Sequence, residues 1–175
     1  DTAKKNSGRK MALQQIFYGA PGTGKSYEVN SITKKNRYAT IRTTFHPDSD
    51  YSTFVGAYKP TMADAPVYGA QGVEIAKEKR ITYTFVKQAF LKAYLGAWQK
   101  LANGVDSVEP QFLVIEEINR GNCAQIFGDL FQLLDRSGNG FSTYPIEADA
   151  DLQNEIAKEF GQGGEYMLAN EFNVD

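Results

Sequence analysis

The chain has 175 residues, 42% hydrophobic and 13% aromatic, enough for one domain with a real core. Nineteen Lys and Arg stand against 21 Asp and Glu, for a net charge of −2, so there is no basic surplus to hold nucleic acid by neutralising its phosphates. One cysteine, Cys123, excludes an internal disulfide framework and suits a reducing compartment. No apolar run approaches the ~20 residues of a membrane span, so a soluble, cytoplasmic protein with no membrane partner is expected.

Asp1–Lys10, with three lysines, an arginine and a Ser-Gly pair, lacks an apolar face and reads as a flexible N-terminal linker. Gln15-Ile16-Phe17-Tyr18 is a short β-like run. It leads into Gly19-Ala20-Pro21-Gly22-Thr23-Gly24-Lys25-Ser26, a G-x-x-x-x-G-K-S sequence, and Tyr27–Lys35 can continue as a helix because it contains neither Gly nor Pro. Strand, glycine-rich loop and helix in this order make a phosphate cradle. The glycines let consecutive N–H groups turn inward, with the positive end of a helix behind them. Lys25 is expected to reach β- and γ-phosphate oxygens, and the Ser26 hydroxyl to ligate Mg²⁺. The bland alternative, a glycine-rich turn with an incidental lysine, is set aside on that flanking context.

Tyr38–Phe45 is β-rich, with Ala39, Ile41 and Thr43 alternating against polar partners. His46-Pro47-Asp48-Ser49-Asp50 is turn chemistry before a short amphipathic piece, Tyr51–Val55. His46, the one histidine, cannot build a His-based metal site and is expected to be structural. Pro60, Pro66, Gly69 and Gly72 break any period in Ala57–Lys79, which is expected to be loop-like, with a small hairpin at most from Val67-Tyr68 and Val73-Glu74-Ile75. Glu78-Lys79-Arg80 reads as a solvated turn and Ile81–Phe85 as a strand. Val86–Leu101 has the clearest helical spacing. Val86, Ala89, Phe90, Ala93, Tyr94, Ala97, Trp98 and Leu101 form a stripe expected to pack as core, and Asn103-Gly104 supplies the stop.

Phe112–Ile115 is an unbroken apolar run ending in Glu116-Glu117. A fully apolar strand fits a parallel sheet covered on both faces, and acids at its C-terminal end lie where open α/β sheets hold ligands. Successive side chains on a strand point opposite ways, so one acid should face the phosphate loop and hold Mg²⁺ through water, while the other polarises an attacking water. Further on, Cys123–Leu134 is expected as one helix, with Ile126, Phe127, Leu130, Phe131 and Leu134 on one side. Then follow a turn at 137–140, a β-hairpin arm at Phe141–Ile146 and a helix at Asp151–Phe160 capped by Asp149 or Asp151. Gly161–Gly164 reads as a hinge and Tyr166-Met167-Leu168 as a last strand.

The pair of motifs, Gly19–Ser26 and Phe112–Glu117, resembles P-loop NTPases that carry an extra glutamate after the metal-side acid. Ile115–Asp135 is similar to the McrB family of AAA+ proteins, the motor subunits of modification-dependent restriction systems. So are Thr44-Phe45-His46-Pro47 with Tyr51-x-x-Phe54-Val55-Gly56, and the aromatic region Phe85–Tyr94. The resemblance runs from about Gln15 to Ile146. It implies an α/β fold of AAA+ type over residues 11–175, a parallel sheet with helices on both faces.

By position, the resemblance implies that Gly19 to Ser26 cradle the phosphates of ATP or GTP, with Lys25 catalytic, and that Ser26 and Glu116 form the metal side. Glu117 takes the general-base position, and Asn119 and Arg120 lie near a neighbouring subunit's nucleotide. The implied setting is a homo-oligomeric ring that drives DNA translocation for a McrC-like nuclease subunit, with DNA bound through other domains. One departure is Glu116, where the family usually has aspartate. No candidate exists here for the family's sensor strand, fifth strand, arginine finger or lid. The expectation is therefore a domain truncated before the sensor strand, weakly active alone, with a gap or altered pairing between the strand before Gly19 and the strand ending at Glu116. Two other classes stay open. One is a nucleotide-gated assembly module that does not hydrolyse; the other is a small-molecule kinase, which Phe17–Lys25 also resembles but for which no arginine-rich lid is present.

Overall fold

The computed structural model describes residues 14–35, 39–102, 110–137, 142–144 and 146–160. The stretches read as a linker (1–10), a helix stop (Asn103-Gly104), a hinge (Gly161–Gly164) and a last strand (Tyr166–Leu168) lie outside these residues, as does most of the 137–140 turn. Of the arm at Phe141–Ile146, a single bridge between Arg136 and Ser142 is described.

Apolar, β-branched sequence makes the central pair of strands. β1 (Thr40–Thr44) lies parallel to β4 (Phe112–Glu116), with Ile41 beside Leu113 and Thr43 beside Ile115. The ladder runs one step past each end, since Phe112 N donates to Ala39 O (2.9 Å) and Phe45 N to Glu116 O (3.0 Å). Leu113 and Ile115 point to a core built on Phe45, Phe54, Leu91, Leu95, Ile126, Phe127, Leu130, Leu152 and Ile156. The opposite face, with Arg42 and Glu116, looks toward α1 (Lys25–Lys35). Helices therefore flank both faces of a short parallel sheet.

Gln15–Tyr18 is not a strand. Ile16 is 78% and Tyr18 91% exposed, and among the described residues no strand runs beside this segment. An extended segment without a neighbour has no ladder to hold it.

α2 (Tyr51–Phe54) is only four residues long and is held by its cap. Asp50 Oδ1 accepts from Thr53 N (2.8 Å), and Asp50 N donates back to Thr53 Oγ1 (2.9 Å), a capping box. The Ser52 hydroxyl and the Thr53 amide hold the Asp50 carboxyl below its ordinary range. The turn delivers Phe54 and Val55, each 1% exposed, into the core.

The stretch expected to be loop-like is instead one long antiparallel hairpin, β2 (Gly56–Tyr68) and β3 (Glu74–Lys87), joined by the turn 69–73. Glu78-Lys79-Arg80 is therefore strand, not turn, and Lys79 pairs with Asp64 across the ribbon (2.7 Å). Pro60 and Pro66 misled the periodicity. In a two-stranded ribbon each strand has an outer edge, where a missing N–H breaks no ladder bond. Tyr58 meets Phe85 edge-on (5.4 Å), and Thr61 bonds both Thr82 and Thr84. At the base, Gly56 has φ +152°, and a Cβ there would fall 2.5 Å from the Phe85 ring, so no other residue fits.

α3 (Ala89–Ala102) starts three residues later than the spacing suggested, because Val86 belongs to β3. Its most buried positions are Leu91 (1%) and Leu95 (3%), one turn apart, while Phe90, Ala93 and Tyr94 of the expected stripe also pack at the core. Phe90, Tyr94 and Trp98 run along its flank, each ring centroid 6.2 Å from the next.

The expected helix Cys123–Leu134 is broken. α4 (Cys123–Phe127) ends at Gly128 (φ +50°), and Gly128–Leu134 continues as a 3₁₀ helix. With three residues per turn, Phe127, Leu130 and Leu133 share the core side, while Phe131 and Leu134, both 44% exposed, turn outward. α5 (Ala150–Phe160) is capped by Asp149, whose Oδ1 accepts from Leu152 N (2.8 Å), and buries Leu152 and Ile156. Glu159 ties α5 to Lys87 of the hairpin and to Gln99 of α3, and the Lys87 bond lowers its carboxyl below the ordinary range.

Candidate functional site

The loop before α1 turns on glycine. Gly19, Gly22 and Gly24 have φ of +147°, +80° and +84°. A Cβ at Gly22 or Gly24 would meet nothing within 4 Å. Their backbone angles, not crowding, therefore demand glycine, and the loop keeps an open surface. Thr23 closes it, its hydroxyl donating to Ala20 O (2.8 Å). Lys25 Nζ folds across the same loop and donates to Gly19 O (2.7 Å) and Ala20 O (2.8 Å). Ala20, Pro21 and Ser26 are exposed, with Ser26 in the first turn of α1.

Glu116 ends β4. Arg42, across from Val114 in the register, donates from Nη1 to Glu116 Oε1 (2.7 Å) and from Nη2 to Asn30 Oδ1 (2.5 Å). Asn30 stands four residues after Ser26 on α1, so one guanidinium joins the helix behind the loop to the acid at the strand's end. Neither Arg42 nor Asn30 was singled out in the sequence. The available signal was a cation in the middle of a sheet strand, a position that calls for a polar partner.

Glu117 parts from Glu116 by a different route than strand alternation. It takes the left-handed conformation (φ +53°, ψ +40°), the one non-glycine residue with positive φ among those described. That conformation costs a non-glycine residue on the order of 1 kcal/mol, strain of the kind found at functional sites. Its carbonyl accepts from Arg120 N (2.9 Å), closing a 3₁₀ turn over Ile118–Arg120 that leaves Asn119 and Arg120 exposed. Gly121 pins this turn to the core, since a Cβ there would sit 2.5 Å from Ile126 Cδ1.

His46 is exposed in a turn closed by Ser49, whose Oγ accepts from His46 N (2.9 Å). It helps line a cleft of 420 Å³ beside Thr43, Thr44, Asp48 and Ser49, which includes none of the loop residues or the two acids. The donors that could hold a cation are one hydroxyl, Ser26, and one carboxylate, Glu116. That set fits a Mg²⁺ ion whose remaining ligands are water and phosphate oxygens, and the open glycine loop fits the phosphates. Among the described residues, no three His, Cys, Asp or Glu side chains cluster to hold a metal by themselves.

Comparison with known proteins agrees with this layout. Residues 14–139 match the family described as AAA domain (dynein-related subfamily). The chain is 39% identical over 162 residues to the type II restriction enzyme BsuMI component YdiS of Bacillus subtilis (strain 168), an alignment spanning 86% of this chain and 46% of that protein. It is 24% identical over 131 residues to the type IV methyl-directed restriction enzyme EcoKMcrB subunit of Escherichia coli (strain K12), spanning 71% of this chain and 23% of that protein. The chain thus covers less than half the length of either relative. No helix among the described residues is long and apolar enough to cross a membrane. The chain belongs to the AAA family of nucleotide-binding domains, in its dynein-related subfamily, and is McrB-like.

Proposed function

We propose that this AAA domain, residues 11–175, hydrolyses ATP or GTP with Mg²⁺ as part of a ring-forming motor that moves DNA for a restriction nuclease. The observation that carries the reading is the Arg42 guanidinium, bonded at once to Asn30 of the loop helix and to Glu116 at the end of β4. An acid on the loop side of the sheet is what metal-dependent phosphoryl transfer requires. In this reading Gly19, Ala20, Gly22, Thr23 and Gly24 offer N–H groups to the phosphates, and Pro21 shapes the loop. Lys25 exchanges its loop carbonyls for β- and γ-phosphate oxygens. Ser26 and Glu116 would hold Mg²⁺, directly and through water, and the bound ion offsets charge on the phosphates. Glu117 takes the proton of the attacking water. Asn119 and Arg120 face the nucleotide of a neighbouring copy.

The relatives' names, components of type II and type IV restriction enzymes, support the wider setting. That setting is a homo-oligomeric ring coupled to a McrC-like nuclease subunit, with DNA engaged by other domains. We place it in the cytoplasm, the compartment its free Cys123 suits.

Phosphate release measured against protein concentration tests this reading. If copies complete one another's sites, release per chain is low when dilute and rises with concentration. Arg120→Ala then lowers it at least about tenfold while nucleotide affinity changes less than about twofold. Release that is independent of concentration and indifferent to Arg120→Ala would sink the ring reading.

A further inference from the structure

We infer that Arg42 is a positioning residue for the metal side of the site, holding Glu116 at a set distance from the helix that carries Ser26. The inference rests on the nucleotide-binding reading of Gly19–Ser26. Its basis is the two-way bond of one guanidinium, 2.7 Å to Glu116 Oε1 and 2.5 Å to Asn30 Oδ1.

The register makes that bond possible. Arg42 pairs with Val114, two residues before Glu116, so Arg42 and Glu116 share a face of the sheet. Asn30 lies one helical turn, about 6 Å along the axis, behind Ser26. Arg42 thus spans from the strand that presents the acid to the helix that presents the hydroxyl. A planar fork does this in two directions at once, whereas a lysine ammonium is a point charge on a flexible stem.

Glu116 needs such a partner. Its side chain is 45% exposed and has three rotatable bonds, so without a fixed donor its carboxylate would sample many positions. Arg42 takes Oε1 and leaves Oε2 to accept from a metal-bound water. The pair contributes little to stability, because Arg42 too is 33% exposed and water screens the attraction. What it supplies is geometry. Partners of this outer kind typically change metal affinity by about 10–100-fold when removed.

The test is a Mg²⁺ titration of the chain's binding to a fluorescent triphosphate, ATP- or GTP-derived, whichever it takes. Arg42→Ala and Arg42→Lys should each raise the Mg²⁺ concentration for half-maximal effect about tenfold, and binding without Mg²⁺ should shift less than about twofold. Asn30→Ala, which removes only the helix anchor, should act in the same direction by about threefold. On a Glu116→Gln background, Arg42→Ala should add nothing, because the group it positions is already gone. A wild-type Mg²⁺ dependence in Arg42→Ala overturns the inference and leaves the nucleotide reading standing. So does a shift that persists undiminished on the Glu116→Gln background, which would mean a general structural effect. A wild-type chain that binds no triphosphate overturns both.

Discussion

Glu117→Gln is expected to keep nucleotide affinity within about twofold of wild type and to lower phosphate release at least about 100-fold. Glutamine has the shape of glutamate but cannot take up a proton. The backbone around it should not change, because the turn at Glu117 is held by its carbonyl and Arg120 N rather than by its side chain. The side chain is exposed, so the substitution leaves the core untouched. The check is release at saturating nucleotide and at a protein concentration where copies associate, alongside a binding titration. Equal turnover in the two proteins would favour a nucleotide-gated assembly module that does not hydrolyse. The contrast with Glu116→Gln is part of the expectation: that variant should change the Mg²⁺ requirement, whereas Glu117→Gln should not.

Phe54→Ala should be the most destabilising single change in the core, at about 3–5 kcal/mol. Phe54 is 1% exposed and packs three rings, Phe45 at 5.3 Å, Phe127 at 5.1 Å and Phe90 at 5.6 Å. These come from the residue just after β1, from α4 and from α3, so the ring of Phe54 joins the end of a sheet strand to two helices. Two of these pairs are edge-on and the Phe90 pair is tilted; such aromatic contacts are each worth about 0.5–1.5 kcal/mol beyond area burial, and removal also leaves a cavity. Whole domains are stable by only about 5–15 kcal/mol, so the variant should lose a large share of its margin. Loss of the Asp50 cap beside it, by Asp50→Ala, should cost nearer 1 kcal/mol. An unfolding free energy from denaturant titration that falls by less than about 1 kcal/mol in Phe54→Ala would contradict the packing described.

The glycine-rich turn before α1 and the strand that ends in Glu116 were legible because their signals are local. Glycines at set spacing before Lys25-Ser26 state a backbone shape, and an apolar run that ends in two acids states a buried strand with a polar tip. What was not legible depends on partners distant in the chain. Pro60 and Pro66 look like breaks until the ribbon turns out to have only two strands, both with outer edges. In α3 the spacing was real, and Phe90, Ala93 and Tyr94 do pack at the core, but the deepest positions are Leu91 and Leu95, which the stripe left out. In the segment after Cys123, a change from 3.6 to three residues per turn at Gly128 brought Leu133 inward and sent Phe131 and Leu134 out. Arg42 was passed over because its meaning comes from Asn30 and Glu116, 12 and 74 residues away.

In the proposed function, Gly19–Ser26 binds a nucleoside triphosphate through Lys25. Calorimetric titration of the chain with ATP and with GTP, each with Mg²⁺ and beside Lys25→Ala, tests it most directly. The wild-type chain should bind at least one of the two, and Lys25→Ala should weaken that binding about 10–100-fold, the loss of charge-assisted bonds from the ammonium. The same affinity with and without Lys25, or no binding of either nucleotide, would show that this loop is not a nucleotide site.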